Sequence, residues 1–473
     1  MARAAVASGW RSKHPSNARD RGGPRLTTAR HNPGMTAPTR QLPADDSQRT
    51  LLHNEVHARP PARIRLPAMV VFVAVLNEGV DRERECEHLR RLPGQEALRP
   101  EDLQDNFLRL RLPGYTLKWE RHTEFTRYSL VQPLPDGAEL GARDPELLSH
   151  IVLPREWIAS IPGRTLAAIK LVMLHGALDR PQDTLSLART WLGEHTVVAS
   201  LMGNQSHSMV ITDFMLRESG FERMLVVAPP DTTETRAGRI SQRLLEIETY
   251  RLMALRGLPV AKQLGPLLSG SEQQLAAITE QMEHKSTTDQ ALLDNLVSLA
   301  AGVERVTAQH SYRFAATAAY DALVDQRIAE LREQPVPGTQ TIGEFMQRRL
   351  SPAIATVAST ADRLASLSDR ISRTSALLRT RVDIATEEQN QQLLAKLTKG
   401  QELQLRLQST VEGLSIAAIS YYVVSLILYL GKAGKEAGLP VKPELLAGAA
   451  IPLVLWVVWR TSRKIHEKLQ RGE

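Results

Sequence analysis

The sequence predicts an α+β cytosolic domain with a mixed sheet, then a long-helix bundle or stalk, and a C-terminal two-helix transmembrane hairpin. Three observations predict this: strand-length apolar segments after residue 50, a heptad-like stripe in the second half, and two apolar runs near the C-terminus. The expected boundaries are 1–49 for a basic disordered extension, 50–235 for the α+β domain, 236–413 for the helical stalk, 414–459 for the hairpin and 460–473 for a basic cytoplasmic tail.

The N-terminal extension carries most of the net charge. Residues 1–35 hold seven Lys or Arg and one acid, Asp20, which is +6 of the chain's +7. The rest of the chain is therefore near neutral, so we expect no nucleic-acid partner. The Arg-rich stretch could pass for a mitochondrial transit peptide, and the alternative is that translation begins at Met35. Cys86 is the only cysteine, which excludes an internal disulfide and fits a reducing compartment.

The α+β domain is predicted from strand-like segments. Ala68–Leu76 is a continuous apolar run of the length of a buried strand. Tyr115–Val131 alternates between apolar and polar residues, as a half-buried strand does. The remaining predicted strands are Thr165–Leu174, Thr196–Met202, Met209–Met215 and Arg223–Ala228, and the predicted helices are Asp81–Leu92 and Asp183–Leu192.

After Pro229-Pro230 the chain becomes helical. A helix is predicted over Arg236–Leu255, ended by Gly257 and Pro259. Capping signals predict further helix starts, and a Pro at N1 predicts the last of them. These signals are Ser271 with Gln274, the Ser-Thr-Thr-Asp stretch at 286–289, Thr341 with Glu344, and Ser351-Pro352.

A stripe of apolar and small residues then recurs at steps of four and three. It consists of Val357, Ala361, Leu364, Ser368, Ile371, Ser375, Leu378 and Val382, and it shifts phase near Gln389, Leu393 and Leu397. Ser and Gln on the stripe favour packing in a bundle or oligomer over a free-standing coiled coil. About 60 helical residues would form a stalk of ~90 Å.

Two apolar runs predict the hairpin. Leu414–Leu430 has no charged residue, and Leu445–Trp459 is shorter and contains Pro452. Alone, the second run would also suit a buried core helix, but pairing with the first and the flanking Arg460 favour a second span. Lipid is thus an expected partner. More basic residues flank the spans than lie in the loop, so both termini are predicted in the cytoplasm, in a bacterial inner membrane. The flanking residues are Lys396, Lys399, Arg406, Arg460, Arg463, Lys464, Lys468 and Arg471, and those of the loop are Lys432, Lys435 and Lys442.

Two triplets of metal-competent residues are the only candidate site. Because alternate residues of an extended chain share a face, each triplet presents its side chains together, and neighbouring triplets would suit a divalent metal, the one cofactor suggested. The alternatives are a structural polar network and a solvated sheet face. The residues are His53, Glu55 and His57, and Glu120, His122 and Glu124.

Two further groups of polar residues are less specific. Arg239, Arg243, Glu246 and Arg251 flank Glu248 and Tyr250 on one predicted helix, which is typical of a helix–helix interface or a solvated face, with a ligand-binding cluster as the alternative. Ser208 beside His207, with Asp213 nearby, lacks the nucleophile elbow of a hydrolase. No catalytic residue is assigned.

Several stretches resemble a bacterial family of uncharacterised membrane-anchored proteins, a domain of unknown function. They are LLHNEVHARP (Leu51–Pro60), KWERHTEF (Lys118–Phe125), TDF (Thr212–Phe214), RLLEIETYR (Arg243–Arg251), EEQN (Glu387–Asn390) and TVEGLSIAAISYY (Thr410–Tyr422). The resemblance covers nearly the whole chain after the extension. It implies a membrane anchor but no activity.

The layout alone also resembles CorA-type magnesium channels, with a soluble domain, long helices and two C-terminal spans. The Gly-Met-Asn of those channels is missing, and Tyr429-Leu430-Gly431-Lys432 stands in its place. Lys432 and Lys435 at the mouth would repel a divalent cation. The leading hypothesis is thus a non-enzymatic, homo-oligomeric scaffold or regulator in the inner membrane. The alternatives are a CorA-like ion channel or transporter and a membrane-tethered metal-dependent enzyme.

Overall fold

The computed structural model describes residues 46–49, 52, 62–135, 140, 150–284, 287–436 and 442–470. The chain divides into two compact units, Met1–Pro60 and Pro61–Glu473. Few residues of the first unit are described, so the architecture below is that of the second.

A mixed sheet of nine strands forms the centre of the second unit, in the order β2-β3-β4-β1-β5-β8-β7-β6-β9. Neighbouring strands run antiparallel except β5 and β8, which are parallel, and this confirms the predicted mixed sheet. The strands are β1 (Ala68–Leu76), β2 (Phe107–Leu112), β3 (Tyr115–Arg121), β4 (Phe125–Pro133), β5 (Arg164–His175), β6 (Val198–Met202), β7 (Ser208–Thr212), β8 (Glu222–Ala228) and β9 (Gln334–Pro335).

Helices flank the sheet and dominate the second half of the chain. They are α1 (Arg82–Arg90), α2 (Arg155–Ala159), α3 (Pro181–Leu192), α4 (Glu234–Leu255), α5 (Gly257–His284), α6 (Asp289–Leu331), α7 (Ile342–Arg349), α8 (Ser351–Glu436) and α9 (Pro443–Gln470). Two of the predicted helix caps are confirmed. Thr288 accepts a hydrogen bond from the backbone of Ala291 at the start of α6, and Thr341 and Glu344 form a capping box at α7.

Three predicted elements differ from the structure. The Tyr115–Val131 segment is not one strand, because a turn at 122–124 folds it into the hairpin β3–β4. Strand β2 was not predicted. Ser271 and Gln274 do not begin a helix, since α5 runs unbroken from Gly257 past Pro266.

Each face of the sheet is covered, because the side chains of every strand alternate between two apolar layers. In β1, Val71 and Val73 join the core with α1 and α3, whereas Val70 and Phe72 join the core with α4, the end of α6 and α7. The chain after residue 235 therefore contributes to the core of the sheet domain as well as to the stalk. At Gly238, an added Cβ would overlap the carbonyl oxygen of Ala62, so α4 approaches the chain entering β1 with no room for a side chain.

The predicted stripe on α8 packs against α5 and α6. Val357, Leu364, Ile371 and Leu378 are buried in a core shared by these three helices. At the far end, Arg381 donates a hydrogen bond to the carbonyl oxygen of Met282 at 2.8 Å and an Nη–Oδ1 ion pair of 3.0 Å joins it to Asp289. Because α5 ends and α6 begins there, α8 continues beyond this point without them. From residue 383 to 411 every described side chain of α8 is exposed.

Helix α9 returns antiparallel along the last part of α8. The hydroxyl of Ser462 donates a 2.6 Å hydrogen bond to Glu412, which fixes the two helices at one end of the hairpin. At the other end Gly431 of α8 lies against Pro443.

Candidate functional site

Half of the predicted metal site cannot be placed, because His53, Glu55 and His57 lie outside the described residues. The other half is described. Glu120 lies on β3 and is buried, whereas His122 and Glu124 lie in the turn that follows. These three residues do not meet at one point, because each contacts a different element.

Their contacts are with cations and an aromatic ring. Glu120 lies 3.1 Å from both Lys118 and Arg127, and Glu124 forms an ion pair with Arg313 of α6. His122 stacks on Phe125 with ring centroids 4.6 Å apart. Within the described part of the chain, no group of three or more His, Cys, Asp or Glu is placed to hold a metal ion. The solvated-face alternative is wrong for Glu120 and Lys118, since helix α4 covers that face and leaves them 1% and 5% exposed.

Glu120 belongs to a larger structure that we term the charge chain, seven ionised side chains of alternating sign. It begins on β3, passes through β4 and α4, and ends between α4 and α6. Its successive pairs are Lys118–Glu120 (3.1 Å), Glu120–Arg127 (3.1 Å), Arg127–Glu246 (3.5 Å), Glu246–Arg327 (2.5 Å), Arg327–Glu330 (2.9 Å) and Glu330–Arg243 (3.1 Å). It joins residues of the KWERHTEF and RLLEIETYR stretches, which are more than 100 positions apart along the sequence.

Burial and neighbouring charges shift the pKa values of two members of the charge chain. Burial lowers the pKa of Lys118, although Glu120 opposes that shift. At Glu246 burial also disfavours the charged form, but Arg127, Gln242 and Arg327 outweigh it and lower the pKa of the carboxyl. Glu246 is therefore held as a carboxylate between two arginines. Such an arrangement stabilises the contact of α4 with the sheet only while every charge keeps its partner.

The surface end of the charge chain opens into a cavity of about 430 Å³, which we term the arginine pocket. It lies where the β6–β7 loop meets α4 and the end of α6. Its polar lining residues are Asn204, Gln205, His207, Arg243, Glu330 and Arg332.

A second buried group lies nearby on the same face of the sheet. Glu222 at the start of β8 and Glu248 of α4 are 6% and 0% exposed, and Arg251 forms an ion pair with Glu248. Burial, and then the charge of Glu248, raises the pKa of Glu222 to about 9. With its pKa raised by burial and by the neighbouring carboxyl, Glu222 keeps its proton at neutral pH. Arg251 also lies over the ring of Phe214, in the TDF stretch, at 5.4 Å.

A larger cavity of about 650 Å³ lies at the end of β1, beside the β3–β4 turn. Its walls include Arg121, Glu124 and Arg313, and Arg256 at the end of α4. Arg121 forms an ion pair of 2.6 Å with Glu85 of α1. Acidic and basic side chains balance in this cavity, so it has no evident preference for a charged ligand.

The predicted grouping of Ser208, His207 and Asp213 is only partly formed. His207 Nδ1 lies 3.1 Å from Ser208 Oγ, but Asp213 forms an ion pair with Arg217 instead of orienting the imidazole. The arrangement therefore lacks the third member of a nucleophile triad.

Two helices of the described chain are long and apolar enough to cross a membrane. One is the C-terminal part of α8, with a window of mean hydropathy 1.9, and the other is Pro443–Lys464 of α9, with a window of 1.5. Only 6% and 11% of these windows are buried against the rest of the protein. A core helix of a globular domain would be largely covered, so these apolar surfaces lack protein cover in the single chain.

Comparison with known proteins gives one match. A family described as "Protein of unknown function (DUF3422)" matches residues 44–469, which include every strand and nearly all of the helices. No curated protein and no solved structure shows a significant match to the chain. The chain therefore belongs to the DUF3422 family of proteins of unknown function, as its resemblance to an uncharacterised family predicts.

Proposed function

We propose that this protein is a non-enzymatic scaffold or regulator of the bacterial inner membrane, anchored by its C-terminal hairpin and assembled from several copies. The sheet domain and both termini lie on the cytoplasmic side in this proposal. The observation that carries it is the exposed stretch of α8 between the three-helix core and the apolar hairpin.

The anchor is supported by the ends of the apolar helices. Near the end of α9, Arg460 lies over the ring of Trp456 at 4.9 Å and Arg463 over Trp459 at 5.3 Å. Tryptophan with flanking arginine is typical of a membrane–water interface, where the ring contacts the lipid and the cation contacts the headgroups. The balance of basic residues on the two sides of the hairpin favours the cytoplasmic side for this end.

Assembly is supported by the leucines of the exposed stretch. Residues 383–411 extend α8 by ~45 Å at 1.5 Å per residue without a neighbouring helix. Leu393, Leu397, Leu407 and Val411 recur at helical spacing and are 55–70% exposed. At 100° per residue they lie within ~60° of the stripe that Val357–Leu378 bury in the three-helix core. The apolar face thus continues after α5 and α6 have ended.

A second copy of the same chain is the occupant that fits this face. Copies anchored in one bilayer by the same hairpin present the same residues at the same height and in parallel orientation. The stretch also carries both charge signs and is close to neutral, so copies would not repel each other strongly. Its acidic residues are Asp383, Glu387, Glu388 and Glu402, and its basic residues are Lys396, Lys399 and Arg406.

A cysteine cross-linking experiment tests this proposal. Cys86 is the only native thiol and is fully buried, so a cysteine introduced on α8 is the only accessible one. We expect Leu407→Cys to form a disulfide-linked dimer when native membranes are oxidised. Leu405→Cys is the matched control, since Leu405 is also exposed but points about 160° away on the helix.

Two outcomes would reject the assembly. The first is absence of a cross-link at position 407 together with a monomeric mass by light scattering in detergent. The second is equal cross-linking at positions 405 and 407, which would indicate random collisions. Carbonate extraction of the membranes tests the anchor separately, because a peripheral protein would be released.

A further inference from the structure

The arginine pocket carries more positive charge than the protein itself neutralises. Arg243 and Arg332 line the cavity, and the only acidic side chain among the lining residues is Glu330. Glu330 already accepts from Arg327 at 2.9 Å and from Arg243 at 3.1 Å. The side chain of Arg332 has no ion pair or hydrogen bond within the described part of the chain. Burial, and then the charges of a third arginine, Arg236, and of Arg243, lower the pKa of His207, so Arg236 also lies near the cavity.

The positions of these arginines on α4 are electrostatically unfavourable for a helix. Arg236 lies in the first turn, where the helix dipole favours acidic residues, and Arg239 and Arg243 continue the same face in the next two turns. Spacings of three and four also bring like charges together, which destabilises a helix by a few tenths of a kcal/mol per pair. Only Glu234 in the first turn counters them. Departures of this kind from local preference are expected at functional sites.

The backbone around the cavity is fixed before any ligand arrives. Gly203 has φ +82°, and an added Cβ would overlap the imidazole of His207, so only glycine lets the loop close here. The amide of Gly203 donates to the carbonyl oxygen of Leu331 at 2.9 Å. Arg332 follows with φ 49° and ψ 52°, a left-handed conformation that is uncommon for arginine and turns the chain at the end of α6. Arg243 on α4 and Arg332 after α6 thus line one cavity from two different elements.

We propose that the arginine pocket binds a small soluble molecule through a phosphate or carboxylate group held by Arg243 and Arg332. Arginine presents a planar set of donors that pairs with either group through two parallel hydrogen bonds. The cavity of about 430 Å³ is in the range of small-molecule sites and exceeds the space a lone ion needs. Asn204 and Gln205 at its rim supply amide groups for the rest of the ligand. Lipid headgroups of the anchoring bilayer are not the source, because more than 60 helical residues of α8, or ~90 Å, separate the sheet domain from the apolar hairpin.

The test is calorimetric titration of the purified full-length protein in detergent, with inorganic pyrophosphate as the phosphate probe and citrate as the carboxylate probe. We expect saturable binding of at least one probe, and the two titrations distinguish the two chemistries. Arg332→Asn should weaken binding about tenfold or more, since a charge-assisted hydrogen bond is lost. Asparagine tolerates the left-handed conformation at this position, so this variant keeps the fold.

Arg243→Gln should weaken binding similarly, although it also removes the end of the charge chain. The matched control is Arg305→Gln, on an exposed part of α6 remote from the pocket, which should bind as the wild type does. The proposal is overturned if neither probe binds at millimolar concentration. It is equally overturned if Arg332→Asn binds as tightly as Arg305→Gln, because the anion would then sit elsewhere. Failure of this ligand-binding proposal would leave the proposed assembly through α8 unaffected, because the two are tested by different experiments.

Discussion

Replacing Glu246 by glutamine tests whether the charge chain stabilises the fold. The change keeps the shape of the side chain and removes one negative charge between Arg127 and Arg327. Arg127 is 3% exposed, so water cannot replace the lost partner. Arg127 retains its ion pair with Glu120 at 3.1 Å, whereas its ion pair with α4 is lost.

The expected magnitude follows from that burial. Removing one partner of a buried ion pair typically costs about 3–5 kcal/mol, because the other charge stays desolvated. Since Arg127 keeps Glu120 and Arg327 keeps Glu330, we expect the lower end, about 3 kcal/mol. For a domain of this size that corresponds to a fall in Tm of roughly 6–12 °C.

The Tm is measured by thermal unfolding of the full-length protein in detergent, monitored by tryptophan fluorescence. Trp119, Trp157 and Trp191 are buried in the core of the sheet domain and report on its unfolding. The control is Glu272→Gln, which breaks the Glu272–Arg363 pair at 2.9 Å on the stalk. That pair is 31% and 40% exposed, so its loss should cost about 0–1 kcal/mol.

A double variant makes the test specific to the charges. Arg127→Met with Glu246→Gln removes adjacent opposite charges and leaves Lys118–Glu120 and Arg327–Glu330 intact. We expect its Tm to lie above that of Glu246→Gln alone. The reasoning fails if the Tm of Glu246→Gln lies within ~2 °C of that of Glu272→Gln. It also fails if the effects of Arg127→Met alone and Glu246→Gln alone simply add in the double variant.

Three further predictions concern the same domain. The pKa of Glu222 is raised from 4.5 to about 9, so the stability from this group is full below pH 4.5 and falls as pH rises toward 9, by up to ~1.4 kcal/mol per unit. Glu222→Gln cannot titrate and should show a smaller loss of Tm between about pH 6 and about pH 8.5; an equal loss would contradict the assigned proton. Gly238→Ala should lower Tm because its Cβ overlaps Ala62, whereas Gly302→Ala, with open space around it, should keep or raise Tm; equal Tm values would contradict the close approach. Because Glu120 is held by cations, EDTA should shift Tm by less than ~1 °C, and a larger fall with bound metal in elemental analysis would restore the predicted metal site.

The strands of the sheet could be predicted where they are long and apolar. Ala68–Leu76 has the predicted bounds because a strand buried on both faces needs no alternation. Strand β2 is absent from the predicted elements although its sequence carries a strand signal, since Leu108, Leu110 and Leu112 alternate with Arg109 and Arg111. The Ser271 capping signal misled for a different reason. Residues on both sides of it, such as Leu268 and Leu275, are buried in one core, and this packing outweighs the local preference to start a helix.

The candidate site depends on contacts that no local pattern encodes. Glu120, Glu246 and their surroundings stood out in the sequence, but Arg327 lies 81 positions beyond Glu246 and Glu330 lies 87 beyond Arg243. Their pairing follows only from α6 crossing α4. Arg243 and Glu246 are three residues apart, a spacing at which opposite charges attract within one helix, but each residue instead forms an ion pair with α6. The sequence therefore predicts which residues are charged, but not which charged residues pair with each other.

An unbroken α8 has a mechanical consequence. The same helix, 86 residues long, is clamped in the three-helix core at one end and continues into the apolar hairpin at the other. If the apolar hairpin lies in a bilayer, as proposed, a tilt of the hairpin would swing the distant sheet domain, because the continuous helix has no hinge between them. A tilt of ~10° acting over ~90 Å of helix would carry that domain sideways by ~16 Å. The length of α8 thus amplifies small changes in the tilt of the apolar hairpin into large displacements of the sheet domain.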